Sequence, residues 1–294
     1  MKYLIVNGDD FGLTAGVNAG ILRAYREGIL RSASLMANGP AFIEAVELAR
    51  QHPGLDIGCH LVLVDGQPVS PPERIPSLVQ PDGRLPRTVR HLVVGMLTGS
   101  IRKDDLLTEA RAQVERLLAA GVRPSHLDTH KHTHLFPPVL DVVVRTAVEF
   151  GIGWIRCPYE PLGELLGREA GPQNRRSITA ALAGLGRSQF ERKLRQHGLH
   201  APHRLSGFRL TGVLTPQHLR RIIERLPDGI TELVCHPGLY DSELEAIPTR
   251  LKHQREHELQ TLLAPEVQQA VTQAAACLCS FRDLETWHEH ISVE

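Results

Sequence analysis

Asp128, His130, His132 and His134 stand at alternate positions in the run Asp-Thr-His-Lys-His-Thr-His. Side chains two apart on an extended segment share a face, so this run would present a carboxylate and three imidazoles to one side. Neutral imidazole is the commonest metal ligand. Fully extended, at about 3.3 Å per residue, His130 and His134 would lie roughly 13 Å apart. One ion cannot gather all three imidazoles without a bend. One or two ligands are therefore expected here, the others serving as support or substrate contacts, with further ligands coming from elsewhere.

Three other apolar runs end in residues of the same kind. Tyr3-Leu4-Ile5-Val6 stops at Asn7-Gly8-Asp9-Asp10-Phe11-Gly12, Leu55-Asp56-Ile57-Gly58-Cys59 stops at His60, and Leu233-Val234-Cys235 stops at His236-Pro237-Gly238. Adjacent carboxylates leave opposite faces of a strand, which suits a division of labour: one binds a hard cation and the other stays free as a general base. A polar turn capping the next helix is the plainer reading of Asp9 and Asp10. A lone His beside a strand is more often structural than a ligand, but four strand ends carrying Asp or His would meet on one rim of a parallel sheet or barrel.

The elements that must position them follow from periodicity. Strands are expected at 3–7, 31–37, 56–63, 124–127, 153–159, 207–210, 231–234 and 277–281. Helices are expected at 16–27, 41–51, 104–120 and 139–150. Strand–helix alternation is the pattern of a parallel sheet flanked by helices. In the 104–120 helix Leu106, Leu107, Ala110, Val114, Leu117 and Leu118 face the core, while Glu109, Arg111, Glu115 and Arg116 face out. The stretch 64–87 is rich in Pro and Gly and reads as a long ordered loop. Within a single domain of residues 1–294, 64–103 is expected to be a substrate-loop insertion. Val62, Val64, Ile75 and Leu78 would either line that site or pack. The strand at 153–159 ends at a rim loop, which makes Arg156 and Tyr159 candidate substrate or support contacts. The region 168–204 has helical stretches with uncertain boundaries, and Arg175 and Arg176 read as a solvated helix start.

With 294 residues and 42% hydrophobic content the chain can bury a barrel-sized core. Its 33 basic and 33 acidic residues cancel, so nothing argues for nucleic acid or an electrostatic membrane anchor. The start reads as a strand rather than a signal peptide, and no apolar run is long enough to span a bilayer, so a soluble cytoplasmic protein is expected. The five Cys form no paired metal or redox spacing. Cys59 and Cys235 each precede a candidate His and would point the other way, into packing.

Taken together and in order, Asn7-Gly8-Asp9-Asp10-Phe11-Gly12, Gly58-Cys59-His60-Leu61, Asp128-Thr129-His130-Lys131-His132-Thr133-His134 and Cys235-His236-Pro237 resemble the YdjC-like (ChbG family) carbohydrate deacetylases. The segments 62–69 and 156–161 look most like the hopanoid-biosynthesis-associated branch. The resemblance implies a distorted (β/α) TIM-like barrel with a long rim loop after the third strand. It also implies metal-dependent removal of an N-acetyl group from an amino sugar. By position, Asp10, His60 and His130 look like metal ligands, Asp9 like the general base and His236 like the general acid. Asp128, His132 and His134 would bind substrate or support the ligands.

This chemistry is consistent with the residue types. A divalent ion activates water and polarises a carbonyl, Asp9 would take the water's proton, and His236 would protonate the departing amine. Two imidazoles and a carboxylate suit Zn²⁺, whereas the family suggests Mg²⁺, so the ion stays open between them. The hopanoid-type likeness points to an N-acetylglucosaminyl hopanoid lipid, which would bring transient contact with a membrane surface. A chitooligosaccharide is the alternative, with Trp154 and Trp287 as the large faces for sugar stacking. The likeness also suggests a homodimer. A phosphoesterase would need more carboxylates bridging two ions, and a non-enzymatic metal-binding protein would hold several loosely bound ions.

Overall fold

The computed structural model describes residues 1–160 and 176–291. Its strands are β1 (Lys2–Phe11), β2 (Ser32–Leu35), β3 (Asp56–Leu61), β4 (His126–Thr129), β5 (Trp154–Ile155), β6 (Arg204–Ser206), β7 (Gly229–Cys235) and β8 (Cys277–Cys279). All pair in parallel, in the order β5-β4-β3-β2-β1-β7-β6, with β8 beside β1. Parallel pairing requires crossovers, and helices provide most of them. The sheet curls until its ends nearly meet: His200 bridges to Trp154 of β5, and a few residues later the same segment pairs with β7 as β6. Strand β8 wedges against Tyr3, Leu4 and Ile5, so β1 pairs with β2 only from Asn7 onward. The fold is α/β, a distorted TIM-like barrel.

Alternation along the strands sorts the side chains. Leu4, Val6, Cys59, Leu127, Leu233 and Cys235 pack outward in the main core, so both cysteines are packing residues. Inward, Ile5, Trp154, Ile230 and Phe281 plug the bottom of the barrel. Above the plug the interior is polar: Asn7, Ser34, His126, Asp128, Arg156 and Glu232 are all fully buried. TIM barrels normally fill this space with branched apolar side chains. A polar interior is tolerable only where its groups satisfy one another, and here they converge beneath the ends of the strands.

Several elements depart from the periodicity. The strand expected at 207–210 lies at Arg204–Ser206, because Gly207 turns left-handed at φ 94° and Phe208–Leu210 becomes a 3-10 turn. A helix, Val89–Thr98, stands inside the 64–103 stretch. Val62, Val64, Ile75 and Leu78 are fully buried in the core, so they pack and do not face a ligand. Helix Lys103–Ala119 holds this stretch with polar side chains. Glu109, expected to face solvent, is fully buried and accepts the Val69 and Ser70 N–H groups, and Asp105 accepts from Ser77. Arg175 lies outside the described residues, and a helix runs from Arg176 to Gln196.

Candidate active site

The ladder between β1 and β2 slips by one residue between Gly8 and Phe11. The extra residue is a bulge at the acidic pair, with Asp10 left-handed at φ 69°. A regular strand would send Asp9 and Asp10 to opposite faces. The bulge instead turns both carboxylates into one pocket of about 470 Å³, shared with His60, His130, His132, His236, Phe208 and Arg255. Bulges re-aim side chains beside active sites, and a left-handed Asp is strain held at a functional position. The expected opposition of the two carboxylates is thus overturned, while their separate partners are kept.

Asp10, His60 and His130 bring three ligand atoms within 4.8 Å of one another. His60 Nε2 is 3.5 Å and His130 Nδ1 3.2 Å from Asp10 Oδ1. That oxygen is buried without a hydrogen-bond partner, while Oδ2 accepts from Arg255 at 2.6 Å. Three converging donors, one an orphaned carboxylate oxygen, fit a small divalent cation. The charge agrees: four buried carboxylates (Asp9, Asp10, Asp128, Glu232) face two guanidiniums (Arg156, Arg255), leaving two negative charges for a cation to balance.

His60 donates from Nδ1 to Asp128 Oδ1 at 2.8 Å, which leaves Nε2 toward Asp10. A carboxylate behind a metal-ligating imidazole fixes its tautomer and raises its basicity. Burial acts to lower the pKa of His60, but Asp128, Asp9 and the hydrogen bonds outweigh it and hold it up to about 10. Burial also pushes Glu232 up to about 7 against the pull of Arg156. Both shifts let the pocket take up protons where the charge balance calls for a cation.

Arg156 sits at the centre beneath the pocket. It holds Asp9 through both carboxylate oxygens, Asp128 at 2.7 Å and Glu232 at 2.7 Å. Asp9, His60 and Asp128 also cluster closely enough for a metal, but the Arg156 Nη1 already lies between the two carboxylates there. Asp9 Oδ1 accepts from both Arg156 and Asn7, whereas Oδ2 accepts from Arg156 alone among side-chain donors and faces His236 Nε2 at 3.9 Å.

Helix Gln254–Leu263 supplies two residues that the sequence reading missed. Glu258 accepts the His236 backbone N–H at 2.6 Å and lies 3.7 Å from its Nδ1. Burial works against ionising Glu258, but its bonds to His236 and Gly212 hold it below the ordinary carboxylate value. Arg255 reaches Asp10 from the same helix, one turn away. Three residues apart on a helix share a face, yet the run Gln-Arg-Glu-His-Glu-Leu-Gln reads as a solvated surface.

The histidine run bends, yet it brings only His130 to the ligand set, within the one or two ligands expected of it. Lys131 and His132 are both left-handed, at φ 56° and 49°. Lys131 is tied to Asp65 at 2.6 Å. His134 is a supporting residue: Nδ1 bonds Thr129 at 2.6 Å and Nε2 lies 3.2 Å from the Arg156 carbonyl. His132 lines the pocket with its ring 4.3 Å from that of Phe208. Tyr159 lies outside this pocket, in a neighbouring groove that also reaches Phe208. Trp154 is buried in the barrel plug and Trp287 lies tilted against Tyr3, so neither faces the site. No helix among the described residues is long and apolar enough to cross a membrane.

A carbohydrate deacetylase of Brevibacillus brevis is 36% identical over 284 residues, covering 96% of this chain and 99% of that protein. A chitooligosaccharide deacetylase of Serratia marcescens is 32% identical with the same coverage. The crystal structure of a putative cellobiose-phosphate cleavage protein from Enterococcus faecalis V583 superposes with a TM-score of 0.77 at 23% identity, covering 96% of this chain and 98% of that one, and shows the same fold. The family model for YdjC-like proteins matches residues 3–273, and with these relatives it places the chain in the YdjC-like family.

Proposed function

We propose that this chain is a divalent-metal-dependent N-deacetylase acting on N-acetylated amino sugars of the chitooligosaccharide type. The observation that carries the reading is the pairing of two arrangements in one pocket. Asp10, His60 and His130 form a ligand set, and beside it Asp9 Oδ2 and His236 Nε2 face each other at 3.9 Å. An ion on the first set would supply Lewis acidity toward a water molecule and the acetamide carbonyl. The names of the relatives support the sugar class.

Asp9 Oδ2 is the proton acceptor in this reading. Arg156 fixes the carboxylate's orientation through both oxygens, and Asn7 adds a second bond to Oδ1, so Oδ2 has the second lone pair left to accept from the attacking water. His236 delivers a proton to the amine as the C–N bond breaks. Glu258 lies 3.7 Å from Nδ1, on the side of the ring away from Asp9, and Nε2 is turned toward Asp9 Oδ2. The products are acetate and a free amino sugar.

A hopanoid glycolipid loses its structural support, because the apolar residues proposed to meet its lipid are core packing. A two-ion phosphoesterase is disfavoured by Arg156, whose guanidinium fills the second carboxylate cluster. The test is acetate release from diacetylchitobiose by protein stripped of metal and then restored with Mg²⁺ or Zn²⁺. Metal-dependent release supports the reading; no release with either ion, or release that ignores chelation, overturns it.

A further inference from the structure

His132 is 5% exposed, lines the same pocket as Asp9 and His236, and buries a ring nitrogen, Nδ1, that has no hydrogen-bond partner. Buried polar atoms are normally satisfied, so an imidazole that lines a pocket with one nitrogen unsatisfied is not there for packing alone. His132 is not one of the three clustered ligands, Asp10, His60 and His130. The backbone sharpens the point. Gly or Asn would adopt φ 49° with less strain than His, so the imidazole is held here at a conformational cost.

Phe208 lies against this ring, tilted by 59° with centroids 4.3 Å apart, and keeps 39% of its surface exposed. It lines both the pocket and the adjoining groove of Tyr159 and Phe190. An exposed aromatic face beside an imidazole that lines the same pocket matches a pyranose, whose C–H face is apolar and whose rim is hydroxyl. A neutral imidazole offers one donor and one acceptor, and a hydroxyl can answer either. A phosphate or carboxylate could only accept.

Building on the deacetylase reading, we propose that His132 and Phe208 form the sugar-recognition wall of the site. The imidazole hydrogen-bonds a hydroxyl of the ring that carries the acetamide, and Phe208 covers that ring's apolar face. The two residues act in binding and not in the bond-breaking steps.

Steady-state kinetics on diacetylchitobiose, with metal content measured alongside, test this in the full-length protein. His132→Gly removes the ring and suits the left-handed backbone. It should raise KM at least tenfold, leave kcat within threefold and retain one ion per chain, and His132→Asn should recover part of the loss. Phe208→Ala, at an exposed position outside the core, should raise KM about fivefold with kcat kept, and it decides alone if the glycine variant does not fold. An unchanged KM in these variants overturns the proposal, as does loss of the ion from His132→Gly, which would make His132 part of the metal site. Acetate release by the wild-type protein separates the two failures: release with unchanged variants sinks this proposal alone, and no release sinks it together with the deacetylase reading.

Discussion

Arg156 grips Asp9 with both arms of its guanidinium, Nη2 to Oδ1 at 2.7 Å and Nη1 to Oδ2 at 2.8 Å. The next residue, Asp10, is held by a different arginine, Arg255, and turned by the bulge toward His60 and His130. Two neighbours in the chain thus have separate partners, and a planar fork is what fixes a carboxylate's orientation.

Arg156→Lys should lower kcat at least about a hundredfold, because an ammonium cannot reproduce the paired contact that aligns Asp9. Arg156→Met should cost about 3–5 kcal/mol of stability, since it leaves Asp9, Asp128 and Glu232 buried without their shared cation. Urea denaturation of the two variants measures the difference. A methionine variant as stable as wild type would show that the cluster is neutralised in some other way.

The stability of metal-free protein should fall as pH rises. His60, raised to about 10, contributes stability that is complete below its unfolded value and is lost as pH climbs through 10. Glu232, raised to about 7, acts in the same direction through neutral pH. Metal binding needs neutral His60, so its apparent affinity rises over the same range. The gap in Tm between metal-loaded and metal-free protein should therefore widen from about pH 6 to about pH 9. A gap that narrows would mean that His60 is not a ligand.

Asp128→Asn should weaken metal binding roughly 10- to 100-fold without touching the ion, by loosening the Nδ1 bond that orients His60. Competition with a chelating dye gives the affinity directly. Wild-type affinity in this variant would remove Asp128 from the account.

Gly58→Ala should destabilise the protein by about 1–3 kcal/mol, the usual range for overpacking. A Cβ there would lie 2.2 Å from the His126 ring. The ring cannot retreat, because it stacks on Phe281 at 3.9 Å and is tied at both nitrogens to Ser34 and Ser125. Thermal melts of the purified variant would show whether the ring has room to move.

The strand ends were legible because apolar runs stopping at Asp or His leave a plain trace, and strand alternation put Cys59 and Cys235 into packing. Nothing in the letters Asp-Asp signals a bulge, so the joint entry of Asp9 and Asp10 into one pocket was not legible. The left-handed turn at Lys131 and His132 left no trace in the sequence, where only the limit of one or two ligands from the run was legible. Glu258 and Arg255 hid in a helix of polar composition whose buried face is itself charged. Whether Val62, Val64, Ile75 and Leu78 line the site or pack was open in the sequence, and they pack, because a Pro-rich loop can fold back and bury its own side chains. Phe208 carried no signal beyond being aromatic after a glycine.

In the proposed mechanism Asp10 holds the ion while Asp9 moves the proton. Metal content and acetate release, measured together on Asp9→Asn and compared with Asp10→Asn, test it most directly. Asp9→Asn should keep one ion per chain and lose at least about a hundredfold in turnover, while Asp10→Asn should lose the ion itself. Asp9→Asn that keeps its turnover, or that loses its ion as readily as Asp10→Asn, would contradict the account.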